Sequence, residues 1–219
     1  MTTFCLLVVA KAPIPGFAKT RLCPPASPEQ AAAIAAASLL DTLEAVAATP
    51  GARPIVATTG EFGEASRAAE LARALRDTTL IPQRGNDFGE RLANAHADVA
   101  AEQPGLPVLQ IGMDTPQVTP GLLANAAATL ERREAALGPA EDGGWWALGL
   151  RDPAFAKVLA DVPMSRDDTG RNTVKALSEA GLRPAALAKL SDVDTMADAE
   201  RVARLKRGRF AEAVAEVYR

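Results

Sequence analysis

The chain has 219 residues, of which 48% are hydrophobic and 23% charged, with a net charge of −3. That length suits one domain over 1–219 with a full sheet and helices on both faces, and the acidic balance argues against bulk attraction to nucleic acid or an anionic membrane. No apolar run approaches transmembrane length, no signal peptide is evident, and Cys5 and Cys23 read as free thiols of a reducing cytoplasm.

Phe4 to Ala10 is a continuous apolar run and predicts a first strand buried on both faces. The stretch Lys11-Ala12-Pro13-Ile14-Pro15-Gly16-Phe17-Ala18-Lys19-Thr20-Arg21-Leu22 follows at once. Its prolines and Gly16 fix a loop, and Lys11, Lys19 and Arg21 put three cations just after a strand end. Phosphate oxygens call for such charge-assisted donors, and in open α/β sheets ligands bind beyond the carboxyl ends of strands. A solvated surface loop could carry the same charges. A Walker A loop is excluded, because Gly-x-x-x-x-Gly-Lys-Ser/Thr is absent.

Ser27-Pro28-Glu29-Gln30 signals a helix start. The helix runs through an alanine-rich segment to about Thr49, with Leu39, Leu40, Leu43 and Val46 as its buried stripe. Arg53–Thr58 predicts a second strand, Glu61–Arg76 a second helix and Thr78–Pro82 a third strand. Gln83 and Arg84 then stand where they could touch a base or phosphate. Gly85 allows close backbone approach, and Asp87 suits an N-cap for a helix to about Glu102. His96 has no partner at a ligand spacing and reads as structural.

Leu106 to Ile111 predicts the central buried strand, ending in Gly112 with Asp114 two residues beyond. A carboxylate there can hold a divalent cation and, through it, phosphate oxygens; an Asx turn is the plainer account. Thr119-Pro120 starts another helix. A strand at about Ala135–Gly138 and the turn Glu141-Asp142-Gly143-Gly144 predict a hairpin, which could also receive an acceptor. Beyond it come a helical Asp152–Leu159, a helix over Gly170–Ala180, a last strand over Pro184–Leu190 and two basic C-terminal helices. Asp192 and Asp194 are expected on opposite sides of an extended segment, so that one of them shares a cleft with Asp114.

These stretches together (11–22, 83–92, Ile-Gly-Met-Asp-Thr-Pro over 111–116, Gly-Pro-Ala-Glu-Asp-Gly-Gly-Trp over 138–145 and Asp-Val-Asp-Thr over 192–195) resemble a bacterial glycosyltransferase-A-like family of uncharacterised domain, the DUF2064 type. That family is related to 2-phospho-L-lactate guanylyltransferases and nucleotide-diphospho-sugar transferases. The resemblance spans nearly the whole chain. It implies a Rossmann-like three-layer α/β/α sandwich with a mainly parallel sheet, a nucleotide over the first half and a divalent cation, Mg²⁺ or Mn²⁺.

By the same resemblance, Asp114 and a late Asp, Asp194 before Asp192, hold the metal. Lys11, Gly16, Lys19, Arg21, Gln83, Arg84, Gly85, Gly112, Gly143 and Gly144 line the nucleotide, with Lys11, Lys19, Arg21 and Asp142 as the catalytic candidates. Sugar-transferring relatives carry Asp-x-Asp at the metal, whereas Asp114-Thr115-Pro116 offers one carboxylate. The leading expectation is therefore nucleotidyl transfer from an NTP to a small phosphorylated acceptor, releasing pyrophosphate. A glycosyltransferase with Asp142 as base is the alternative, and a non-catalytic nucleotide-binding module is the third.

Overall fold

The computed structural model describes residues 3–219. A seven-stranded sheet runs in the order β3-β2-β1-β4-β6-β5-β7, from β1 (Phe4–Lys11), β2 (Ala52–Thr59), β3 (Thr79–Pro82), β4 (Val108–Gly112), β5 (Ala135–Pro139), β6 (Trp145–Leu150) and β7 (Ala185–Ala186). Among the described residues only β6 runs against its neighbours; the remaining pairs are parallel.

Both faces of β1 are buried, as its unbroken apolar run requires. Phe4, Leu6, Val8 and Ala10 pack on one side with Leu39 and Leu43 of α1 (Pro28–Ala47) and Leu123 of α4 (Pro120–Thr129). Cys5, Leu7 and Val9 pack on the other with Leu92 and Val99 of α3 (Phe88–Glu102) and Leu177 of α5 (Thr169–Glu179). Each such leucine contributes about 1.5–3 kcal/mol by leaving water. The result is helix, sheet, helix: the three-layer α/β/α arrangement expected.

Helix α1 explains its own alanine content. The predicted stripe Leu39, Leu40, Leu43 and Val46 faces the sheet, while Ala31, Ile34 and Ala37 pack on α6 (Met196–Leu205) and α7 (Arg209–Ala215). A helix covered on two sides is apolar nearly all round. It is long and apolar enough to cross a membrane, contrary to expectation, but 78% of its most apolar window is buried inside the protein. Its start is the predicted capping box, with Gln30 N–H on Ser27 Oγ and Ser27 N–H on Gln30 Oε1. Buried Asp41 anchors the C terminus through Lys206 and Arg209, each at 3.2 Å.

Three elements differ from expectation. The helix predicted over Glu61–Arg76 is a 3-10 turn (Phe62–Glu64) and a short α2 (Ala68–Ala74). Between them, Arg67 adopts φ 58° and Ser66 N–H is taken by Pro13 C=O at 2.9 Å, so the segment is tied to the first loop instead of continuing as helix. Pro153–Asp161 is 3-10, capped by Asp152. The last strand shrinks to Ala185–Ala186 and a lone bridge between Ala140 and Leu190.

Candidate active site

The parallel strands release their loops at one sheet edge, and because β6 is reversed its first residue, Trp145, starts from that edge too. The basic loop after β1, the Gln83 stretch after β3, Asp114 after β4, the Asp142 turn after β5 and the Asp192–Asp194 segment after β7 therefore share one side of the sheet. Local chemistry then aims the side chains. Met113 C=O accepts from Ser38 Oγ at 2.7 Å, and Pro116 C=O accepts from Lys206 Nζ at 2.7 Å, so helix α1 and the C terminus both grip the loop that carries Asp114.

Three loops converge on Lys19. Its Nζ lies 2.8 Å from Asp114 Oδ2 and 3.3 Å from Asp194 Oδ1, and Arg21 reaches Asp194 Oδ2 at 2.7 Å. The Lys19 side chain is 13% exposed and that of Arg21 71%, so Lys19 is the inner cation and Arg21 the outer one. Burial works to lower the Lys19 ammonium, but the charges and hydrogen bonds of Asp114 and then Asp194 outweigh it and hold it above its ordinary value. Lys19 stands at φ 51°, ψ 38°, a left-handed conformation that a residue with a side chain keeps only when its surroundings fix it.

Asp192 and Asp194 correct the expectation that they face opposite sides. In extended chain residues two apart share a face; Val193 between them goes into the core beside Leu22 and Ile34, and its N–H donates to Asp114 C=O at 2.9 Å. Both carboxylates stay with Asp114. Asp192 is pushed up to about 6 by burial and by the charges of Asp114 and Asp142, which also brings Asp142 into the group. Asp142 itself closes the hairpin turn, its Oδ1 accepting Gly144 N–H at 2.8 Å.

Not every predicted residue joins this cluster. Lys11 lays its ammonium over the Phe17 ring, 3.7 Å from the centroid. Burial, and then the charge of Arg91, lowers its pKa. Gly16 (φ +73°) turns the chain in open space. Gln83 spends its amide N–H groups on Ala10 and Ala57 C=O, both at 2.9 Å, so it ties the ends of β1 and β2 instead of presenting those donors to a ligand. Arg84 pairs with Asp98 of α3 through Nε at 3.2 Å. Gly85 (φ +141°) packs on Glu90 and Arg91 at the start of α3. Gly143 (φ +90°) lets the hairpin turn lie against the chain at Asp167, where a Cβ would meet Asp167 O at 1.9 Å, and Gly143 C=O accepts Gly170 N–H at 2.8 Å. A cavity of about 490 Å³ adjoins Gly143 and Gly144, with Arg171 and Lys189 among its walls.

Arg91, which the sequence reads as a helix-surface charge, and Arg201, which it does not single out, both act at this edge. Arg91 stands close enough to Lys11 to act on it. Arg201 of α6 holds Glu141 at 3.2 Å, Asp198 at 2.8 Å and Ser191 Oγ at 2.6 Å, lashing the Asp142 turn to the Asp192 segment. The Asp198–Arg201 pair is a local helical spacing, but nothing local in the sequence marks the contacts that Arg91 and Arg201 make with other loops.

Among the described residues no three His, Cys, Asp or Glu side chains are arranged to hold a metal unaided. Two carboxylates already meeting on one cationic nitrogen are nevertheless a hard-oxygen donor pair. That suits Mg²⁺ or Mn²⁺, which take one or two carboxylates and fill the remaining positions with water and substrate phosphates. The Lys19 ammonium lies between the two carboxylates.

The fold and these loops define a nucleotide-using transferase. The chain belongs to the bacterial family described as "Uncharacterized protein conserved in bacteria (DUF2064)", which matches residues 42–166. It is 31% identical over 197 residues to a phosphoenolpyruvate guanylyltransferase of Nocardia farcinica (strain IFM 10152), covering 87% of this chain and 82% of that protein. A solved structure from Desulfovibrio desulfuricans G20, called a "putative nucleotide-diphospho-sugar transferase", superposes with a TM-score of 0.84 at 25% identity over 99% of both chains. Rv0371C of Mycobacterium tuberculosis H37Rv, solved in complex with manganese, shares the fold with a TM-score of 0.51 at 20% identity, over 91% of this chain and 98% of that one.

Proposed function

We propose that the chain, as a single unit over 1–219, catalyses metal-dependent nucleotidyl transfer from an NTP to a small phosphorylated acceptor. An acceptor phosphate oxygen attacks the α-phosphorus, the α–β bridging bond breaks, and pyrophosphate leaves. The observation that carries the reading is the convergence of Lys19 and Arg21 on Asp114 and Asp194: cations and acidic ligands meet at one point beyond the strand ends. Asp114 and Asp194 would hold Mg²⁺ or Mn²⁺, which when bound neutralises phosphate charge. Lys19 and Arg21 stabilise the charge growing on the departing pyrophosphate, and the rest of the rate comes from alignment. Lys11 contributes from the flank, over Phe17. The acceptor phosphate is already ionised, so no strong base is needed. The guanylyltransferase relative supports GTP as donor and a phosphorylated carboxylate as acceptor, whose anionic end the Arg171 and Lys189 walls of the adjoining cavity suit.

A second reading, glycosyl transfer from a nucleotide-sugar, draws on Asp142, which lies beside Asp192 and could deprotonate an acceptor hydroxyl. Incubation with each NTP, Mg²⁺ or Mn²⁺ and phosphorylated carboxylates tests the choice. Pyrophosphate release that needs the acceptor supports nucleotidyl transfer; release of NDP or NMP from nucleotide-sugars alone overturns it.

A further inference from the structure

The cation between Asp114 and Asp194 belongs to the protein. Lys19 Nζ touches both carboxylates, at 2.8 and 3.3 Å, and its side chain is nearly closed off from solvent. A dication brought to the same two carboxylates would meet a like charge within a few ångströms, and like charges at such range oppose one another strongly where water is scarce. The ammonium must therefore go elsewhere before a metal can settle. Its natural destination is phosphate, the other strong acceptor for a lysine in such a site. Arg21, 2.7 Å from Asp194 Oδ2 and 71% exposed, lies on the solvent side of that carboxylate, where water screens its charge and leaves it free to turn to the same phosphates.

We propose that Lys19 is a resident counter-ion that keeps the divalent-cation position filled until a nucleotide's phosphates draw its ammonium away, so that metal and nucleotide enter together. This rests on the reading of Asp114 and Asp194 given above. Three features of the chain support it. The left-handed backbone at Lys19 (φ 51°, ψ 38°) aims the side chain inward at a conformational cost. The loop that bears it is gripped at Pro13, whose C=O accepts Ser66 N–H, while the stretch from Lys19 onward is a single 3-10 turn, Thr20–Leu22. The two ligands also come from segments 80 residues apart in the chain, yet one ammonium joins them. Occupancy of the metal position is thereby coupled to occupancy of the nucleotide position, and such coupling acts equally in both directions.

Manganese binding to the nucleotide-free chain, read from the electron paramagnetic resonance of free Mn²⁺, tests this without any turnover. Removing the resident charge with Lys19→Met should tighten Mn²⁺ about tenfold or more, within the usual span of site coupling, although Lys19 is a candidate catalytic group. Lys19→Arg, which keeps a cation, should bind as weakly as wild type. Folded Lys19→Met that binds Mn²⁺ no better than wild type overturns the proposal. Adding Asp114→Asn to Lys19→Met should abolish the gain; if tight Mn²⁺ binding survives, the ion sits elsewhere and the assignment of Asp114 as a ligand fails instead. Should Lys19→Met not fold, the ζ-¹⁵N resonance of Lys19 in the wild-type chain decides. Mg²⁺ alone should leave it in place, and Mg²⁺ with a mixture of the four NTPs should move it. Displacement by Mg²⁺ alone, or no displacement by the mixture, overturns the proposal.

Discussion

A Cβ on Gly112 would stand 2.6 Å from Oδ1 of Asp114. The glycine at the end of β4 is what lets the Asp114 side chain fold back over the strand end towards Lys19. The obstructing atom is the tip of one side chain, so a methyl group there displaces the carboxylate and leaves the backbone alone. Gly112→Ala should change stability by no more than about 1 kcal/mol and still lower nucleotidyl transfer by about 10- to 100-fold. Thermal melting and steady-state rates on one preparation check this; a large stability loss with normal turnover per folded molecule refutes it.

Lys19 and Arg21 should differ in importance. Lys19→Ala removes an interior cation from two carboxylates, and a fall in turnover of about 10²–10³-fold is expected, the scale of losing a transition-state charge donor. Arg21→Ala removes an exposed one and should lower turnover by about tenfold. Binding of the nucleoside monophosphate should be nearly unchanged in both, because the lost contacts are to the outer phosphates. Calorimetric titration with mono- and triphosphate makes the comparison; equal weakening of the two ligands would move the basic loop away from the phosphates.

Asp142→Asn keeps the hairpin, since an amide oxygen can still accept Gly144 N–H. Under nucleotidyl transfer it should lower activity modestly and leave the pH profile flat above neutrality. Under glycosyl transfer with a carboxylate base the same change should lower it about 10²–10⁴-fold and remove the acidic limb of the profile. Rate against pH, measured for both proteins, separates the two chemistries.

His96 sets part of the acid stability. It is fully buried, its Nε2 sits 2.9 Å from Gln110 Oε1 and its Nδ1 has no partner among the described residues. Burial pushes the imidazole down to about 4, the Gln110 contact offsetting only part of this. The unfolded chain takes up that proton near 6.5, so the stability gained by keeping His96 neutral is whole above about pH 6.5 and is lost as pH falls towards 4. Asp192, raised to about 6, acts with the opposite sign and favours the fold as pH falls through that value. Comparing His96→Met with wild type cancels the Asp192 contribution. Urea unfolding between pH 4.5 and 7.5 should show the variant losing less stability on acidification, by up to about 1.4 kcal/mol per pH unit. Parallel curves would mean that His96 takes its proton in the fold.

The parts of the molecule written in local patterns were legible in the sequence. An unbroken apolar run marked β1 and a mostly apolar one β4, Ser27 and Asp87 announced helix starts as caps, and the ordered loops after the strands fall at one edge of the sheet. What local pattern cannot carry is the direction of a side chain set by distant chain. Gln83 looked like a ligand contact because it is polar and follows a strand, yet the open carbonyls of Ala10 and Ala57 claim it. The helix expected over Glu61–Arg76 had ordinary propensity and lost to a bond from Ser66 to Pro13. Arg201 gave no signal at all, since its partners Glu141 and Ser191 lie on other loops. Asp192 and Asp194 were misjudged on geometry alone: the two-residue period places them side by side.

The single reversed strand has a consequence for how this scaffold can change. Strand β5 reaches the loop edge and β6 leaves it again within one hairpin, so the Asp142 turn is held by the β5–β6 ladder and, through β6, by β4. Lengthening or shortening that turn leaves the registers of β1, β2 and β4 as they are, and with them the seating of Lys19 and Asp114. On the proposed function, the half assigned to the nucleotide can stay constant while the half assigned to the acceptor drifts, so that descendants of one such chain can serve different acceptors.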